Sequence, residues 1–338
     1  MTRTLRRVLA VMLVGVVLYG LFVLYAGYRE IGASLARYRW WTFAAALGLA
    51  TVNYGFRFLK WEYYLGLLGV RGVRKPDSLL VFLSGFVLTV TPGKVGEVFK
   101  SAVLSQTHGV PAARTAPIVV AERLTDVIAI IILIVIGSAG FAGGLHWAVV
   151  GTGFVLLGLT FILWRAPGQW ALRWLERGPR RQRFAPKLAE ALESLRLLAR
   201  PSSLLVPTAL SVVGWGCEGV AMYVILTGFD SGAPFAVAVF FYATATLAGA
   251  IVPLPGGLGV TETIMQEGLV LLGGVAQGPA TASMILTRFA TLWWAVVVGF
   301  VALAVLKARF PGFLRDQALP EQARRPTQAT DEPGQPIG

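Results

Sequence analysis

The sequence has one cysteine and two histidines among 338 residues. Cys217 alone cannot close an intramolecular disulfide, and His108 and His146 are too far apart in the chain to suggest a Cys/His metal cluster. With no Ser-His-Asp set and no metal motif, no cofactor is expected and chemistry of those kinds is excluded. Charge is scarce too: 14% of residues are Asp, Glu, Lys or Arg against 56% hydrophobic, and the mean hydropathy is +0.68. A soluble globule is therefore excluded. No stretch between the apolar runs is long enough for an extramembrane catalytic domain, so a transporter rather than an enzyme is expected. Acidic residues are the rarer sign, 17 against 30 basic, a net charge of +13. The basic residues sit between long apolar runs, so membrane topology explains them better than a nucleic-acid partner, and none is expected.

What the chain does have is long apolar runs. Residues 8–28 follow a basic head containing Arg3, Arg6 and Arg7. The run is about 20 residues long, which fits a bilayer crossing and exceeds the apolar core of a signal peptide. Uninterrupted runs at 40–58, 117–140, 146–164, 203–227 and 280–306 complete six crossings. Two more runs are broken, 78–107 by TPGKVG at 91–96 and 234–275 by PLPGGLG at 253–259. Pro and Gly release backbone groups that hydrocarbon cannot satisfy, so such breaks belong inside protein or beside a cavity. Both read as re-entrant helical hairpins, and a double crossing would keep the same parity. The predicted fold is an all-α polytopic membrane protein.

With the N-terminus inside, most basic residues fall on the inner face, including those at 57–75 and 94–114, while Arg29, Arg37 and Arg39 fall outside. This satisfies the positive-inside rule and predicts an inner-membrane protein with both termini cytoplasmic. The linker 165–202 is expected to lie on the inner leaflet, with Leu188, Leu192 and Leu195 on one helical face, and 56–68 to form an interfacial extension with Trp61, Tyr63 and Tyr64 at head-group level. The polar tail from 311 to 338 is expected to be disordered.

The breaks also repeat. PGKVGE at 92–97 and PGGLG at 255–259 share Pro-Gly-x-x-Gly, and an intramembrane arginine follows Pro92 by 31 residues and Pro255 by 33. Upstream, Asn53 and Glu218 precede those prolines by 39 and 37 residues. Each half, 1–140 and 141–310, thus holds crossing, crossing, hairpin, crossing. Three full crossings in the first half turn the second upside down. Inverted repeats of this kind place substrate near the midplane, where the halves meet.

Ionisable residues within the spans need a partner or a cavity. Glu122 and Asp126 share a helix face, and Arg123 is three residues from Asp126. Either this is a structural ion pair or Arg123 serves the site. Arg288 has no acidic residue within four positions, so its partner is another helix, with Glu218 a candidate, or a ligand. Glu218, among Gly214, Gly216 and Gly219, is either that structural partner or a proton-linked, substrate-facing group. Backbone N–H groups at 93–96 and 256–259 are candidate anion donors, with Lys94 adding charge. Glu97 and Glu262 are either first-turn caps or proton acceptors.

TPGKVGEVFKS followed by AERLTDV, and PLPGGLGVTE followed by LTRFATLWW, resemble the lysylphosphatidylglycerol synthase transmembrane-region family over nearly all the chain. That resemblance implies handling of lipid-linked substrates, namely translocation of an anionic phospholipid or a polyprenyl-phosphate-linked lipid between leaflets. It places Pro92, Gly93, Gly96, Glu97, Glu122, Arg123, Pro255, Gly256, Gly257, Gly259, Glu262 and Arg288 at the family's motif positions. A soluble aminoacyl-transfer domain like that of the full synthases is not expected here, so the resemblance does not imply lipid synthesis. Lys94 and Lys100 stand where arginine is frequent, which argues against a bidentate phosphate clamp there. The expected partner is a membrane lipid with an anionic head group. The alternative is a non-transporting anchor or activator of a separate lipid-modifying enzyme or glycosyltransferase.

Overall fold

The computed structural model describes residues 28–91, 97–139, 149, 153, 185–252 and 254–312. The crossing expected at 8–28, nearly all of the one at 146–164, the first break at 92–96, the start of the basic linker and the tail lie outside them. Among the described residues every regular element is a helix. In chain order these are α1 (Tyr28–Ala36), α2 (Trp40–Leu67), α3 (Lys75–Ser84), α4 (Phe99–His108), the single turn α5 (Ala112–Thr115), α6 (Pro117–Ser138), α7 (Ala185–Leu198), α8 (Pro201–Thr227), α9 (Phe235–Ile251), α10 (Val260–Leu271), α11 (Gln277–Arg288) and α12 (Trp294–Arg309).

Proline and glycine set many of the boundaries. Pro117 and Pro201 sit in the first turns of α6 and α8, where their missing N–H has no intrahelical role, and Gly109 ends α4 at φ 70°. A π-helical segment, Phe289–Trp293, joins α11 to α12 without a break. The resulting rod, Gln277–Arg309, and α8 are both long and apolar enough to cross a bilayer. Their outward faces are apolar: Leu205 on α8 is 72% exposed and Val301 on α12 is 60% exposed. That much apolar surface facing outward suits lipid rather than water.

The most extensive contact is between α2 and α8. On either side α9 packs along α6, and α3 packs along α12. Helix α7, in the linker, rests on α5 and α6 with Leu198 buried, while Leu188, Leu192 and Leu195 are half-buried.

Two expectations need correcting here. Residues 56–68 are not an interfacial extension but the second half of one continuous α2, and Trp61 and Tyr64 are fully buried in the core. Arg57, Lys60 and Lys100, assigned to the inner surface, are also buried. The physical reason is that each finds a carboxylate or ring partner inside the fold, which offsets its desolvation.

Candidate functional site

Helix α2 carries a buried stripe that starts with Ala46 and Ala50 and continues through Asn53, Arg57, Lys60 and Tyr64. The stripe keeps its 3–4 residue spacing as it turns polar. Arg57 Nη2 donates to Glu97 Oε1 at 3.2 Å, and the guanidinium carbon lies 4.8 Å from the centroid of the Phe86 ring. Arg123 Nη2, from α6, reaches the same carboxylate at 2.9 Å and also Asp126 at 3.3 Å. One turn further along α2, Lys60 Nζ donates to Asp126 Oδ1 at 2.5 Å and to Ser211 Oγ at 2.8 Å, tying α2, α6 and α8 together. Lys100 on α4 pairs with Glu122 on α6, and its ammonium sits 4.7 Å over the Trp61 ring.

The second break is held differently. Gly256, Gly257 and Gly259 have φ of 63°, 67° and 86°, a region that disfavours side chains, and Gly257 packs against Gly249 of α9 so closely that a Cβ would lie 2.9 Å from its Cα. Helix α10 restarts after Gly259, whose N–H donates to Glu262 Oε2 at 2.7 Å. Glu262 is therefore a first-turn cap, one of its two expected roles. Its other oxygen takes Arg288 Nε at 2.6 Å, and Arg288 Nη2 donates to the Gly256 carbonyl at 2.6 Å. The break was expected to offer free N–H groups to an anion. Gly257 N–H instead donates to Leu254 O at 3.0 Å and Gly259 N–H to Glu262, so the protein's own carboxylate takes the anion position at this helix start.

Between these two assemblies lies Glu218. Asn53 Nδ2 donates to Oε1 and the Tyr242 hydroxyl to Oε2. Arg288 is engaged by Glu262 and Gly256 on the break it follows.

The intervals between these residues recur. Glu97 and Arg123 are 26 residues apart, and so are Glu262 and Arg288. Asn53 and Glu218, in direct contact, are 165 apart, the interval that also separates Glu97 from Glu262 and Arg123 from Arg288.

A cavity of about 250 Å³ opens where these elements converge. Arg57, Arg123 and Arg288 all line it, together with Asp126, Glu218, Trp215 and Tyr242. Hydroxyls of Thr89, Thr91, Thr246, Thr261 and Thr291 complete the polar wall, and Thr89 Oγ1 is buried there with no hydrogen-bond partner among the described residues. Val127, Ile130, Leu254 and Leu292 supply an apolar wall. Guanidinium groups beside hydroxyls form a donor set suited to a phosphate, and the apolar wall suits a chain attached to it.

Of the residues singled out from sequence, Arg123, Asp126, Glu218, Gly256, Gly257 and Arg288 meet at this cavity. Glu97 and Glu262 stand behind it and position its arginines, while Gly259 orients Glu262. Glu122 lies away from the cavity wall, paired with Lys100. Gly93, Lys94 and Gly96 lie outside the described residues. Sequence reasoning missed Arg57, Trp215, Tyr242 and the threonines. Arg57 had a signal, since it continues the buried face of α2; the threonines, scattered over several helices, had none.

The Lysylphosphatidylglycerol synthase TM region family matches residues 12–299. Two alignments to UPF0104 membrane proteins of Methanothermobacter thermautotrophicus accompany it, one 30% identical over 129 residues, or 38% of this chain and 37% of the relative, the other 27% identical over 116 residues, or 34% and 33%. The chain thus aligns with little more than a third of the length of these curated relatives. The helical fold, its outward apolar faces and a family match that takes in both Pro-Gly-x-x-Gly segments and the residues lining the cavity agree: this chain is a membrane protein of the lysylphosphatidylglycerol synthase TM region family.

Proposed function

We propose that this protein moves a lipid with an anionic, phosphate-bearing head group between leaflets, through the cavity where Arg57, Arg123 and Arg288 converge. The observation that carries the reading is the source of that cavity's lining: it draws arginines from both halves of the sequence and the backbone of a broken helix. In this reading the halves are inverted repeats of three crossings and one re-entrant hairpin each, in an inner membrane with both termini cytoplasmic. The recurring interval of 165 residues and the equal spacing of the two Glu–Arg pairs support it. The head group sits among the arginines while its chains remain against lipid, and the site opens to each leaflet in turn.

Arg57 is the best residue to test, because Glu97 keeps Arg123 when Arg57 is removed. Losing one charge-assisted contact predicts roughly a tenfold or greater fall in exchange. Phosphatidylcholine vesicles containing the purified protein and a trace of fluorescent phosphatidylglycerol, quenched from outside, measure it. Arg57→Gln should slow exchange while leaving the melting temperature within a few degrees of wild type, and Arg57→Lys should recover part of the rate. Wild-type protein no faster than protein-free vesicles would sink the transport reading and favour the anchor or activator role.

A further inference from the structure

Thr89 lines the cavity with a donor that lacks an acceptor. The residue is 4% exposed, and its hydroxyl has no hydrogen-bond partner among the described residues. Arg123 brings another such donor to the same cavity. Its Nη2 is shared between Glu97 and Asp126, but its Nε is buried with no hydrogen-bond partner among the described residues. Burying a polar group unmet is costly, so such groups beside a cavity point to a ligand that meets them.

Other threonines of the cavity spend their hydroxyls inside the protein. A threonine in helical backbone commonly turns its hydroxyl back to a carbonyl three or four residues earlier. Thr91 does so to Leu88 O at 2.6 Å and Thr291 to Thr287 O at 2.8 Å, while Thr246 bonds to Tyr242. Thr89 closes the 3₁₀ turn Gly85–Leu88 with φ −59° and ψ −28°, so its backbone allows the same bond. Phe86 O, three residues back, instead accepts the Thr89 N–H at 3.1 Å, and the hydroxyl makes no such bond.

The group that meets these donors is an acceptor. An Nε–H can only donate, and a hydroxyl has one proton to give. Arg57 and Arg288, on the same cavity, favour an acceptor that carries negative charge. The two non-bridging oxygens of a phosphodiester answer both requirements. Position at the cavity is what singles out Thr89. Ser101, Thr115, Thr244 and Ser283 also bury hydroxyls with no hydrogen-bond partner among the described residues, but none of them lines the cavity.

We infer that Thr89 Oγ1 donates to a non-bridging oxygen of the head-group phosphate, with Arg123 Nε donating beside it. This rests on the head-group reading above and adds the atoms that fix the phosphate. In the repeat proposed there, the position 165 residues on from Thr89 is Leu254, which lines the same cavity with an apolar side chain. The hydroxyl is thus not duplicated, and the phosphate is drawn toward the side of the cavity built by the first half.

The test uses purified full-length protein in a nonionic detergent. Thr89→Val keeps the shape and removes the hydroxyl, while Thr89→Ser keeps the hydroxyl. For each, the ligand-free melting temperature is measured together with the Kd for dihexanoyl phosphatidylglycerol and for dihexanoyl phosphatidylmethanol, which has the phosphodiester without the glycerol. Stability and binding should move in opposite directions. Thr89→Val should melt at or above wild type, because an unmet hydroxyl is gone, yet bind both probes about tenfold or more weakly, and Thr89→Ser should bind within about threefold of wild type. Thr244→Val, the same change at another 4% exposed threonine, should match that stability without the loss of affinity. Dimethyl phosphate competing with the lipid extends the contact to free phosphodiesters; no competition restricts it to head groups. Thr89→Val melting well below wild type would give the hydroxyl a partner within the fold, and unchanged affinity would remove it from the site. An equal loss in Thr244→Val would make the effect nonspecific, and a loss confined to phosphatidylglycerol would place the hydroxyl on the glycerol. Each of these overturns the Thr89 contact and leaves the head-group site standing. Wild-type protein that binds neither lipid would overturn the two readings together.

Discussion

At the scale of single residues the protein spends ionic contacts unevenly. Lys100 and Glu122 are each 2% exposed and pair through Glu122 Oε2, with the ammonium also seated over Trp61 and Phe82, while Glu122 Oε1 is buried with no hydrogen-bond partner among the described residues. The positions 165 residues further on are Met265 and Thr287, both buried and neither charged. In the repeat proposed above, the corresponding place thus holds a neutral solution to the same packing problem. Lys100→Met alone leaves Glu122 buried without its cation, which predicts a loss of about 3–5 kcal/mol. Lys100→Met with Glu122→Thr should recover most of that loss, because the uncompensated charge goes with its partner. Thermal unfolding of the two singles and the double, in one detergent, measures it; a double variant less stable than both singles would mean that the pair does more than neutralise itself.

At the scale of elements, the packing of α8 is set by three glycines that face three different neighbours. A Cβ on Gly214 would lie 2.5 Å from Asn53 Oδ1 on α2, one on Gly219 would touch Val239 of α9 at 3.4 Å, and one on Gly216 would reach Leu133 of α6 only at 3.9 Å. Close approach is therefore obligatory toward α2 and optional toward α6. Gly214→Ala should destabilise by about 1–3 kcal/mol and displace the amide that serves Glu218, whereas Gly216→Ala should be nearly neutral. A melting-temperature comparison of the two variants decides, and equal values would contradict the packing. The elements themselves were largely legible in sequence. The spans at 117–140, 203–227 and 280–306 and the second break stand out because Pro and Gly punctuate apolar runs; the first break lies outside the described residues. Less legible was the polarity within them. Arg57 and Lys60 read as surface charges because Arg and Lys in a short cluster normally mark a membrane face, and only their register with Ala46, Ala50 and Asn53 gives them away. From sequence the partner of Arg288 is another helix, with Glu218 a candidate, or a ligand, yet the interval of 26 residues already visible between Glu97 and Arg123 points to Glu262. The glycine-rich break suggested donors for an anion, but composition cannot show that the following glutamate folds back onto them.

At the scale of the whole molecule, the inverted arrangement proposed above makes a claim about sides. In a Cys217→Ala background, single cysteines in the linker 165–202 should react with an impermeant reagent from the cytoplasmic face and those in the 228–233 loop from the opposite face. Matching accessibility at the two places would break the inverted topology. The uneven spread of ion pairs adds a mechanical consequence. Lys60 pins α2, α6 and α8 to one another, Lys100 pins α4 to α6, and Arg57 with Arg123 pins α2 and α6 to the start of α4. By contrast, among the described residues α10 and α11 are joined by a single ion pair, Glu262–Arg288, beside the apolar packing of Met265, Leu269, Ala280 and Ile285, and a π-helical segment follows immediately. Local opening free energy follows the density of such ties. Amide hydrogen exchange should therefore be slowest in α2 and α6 and faster by an order of magnitude or more in α10 and α11. The ties thus divide the described helices into a stiff frame of α2, α4, α6 and α8 and a leaf, α10 and α11, clasped by Arg288.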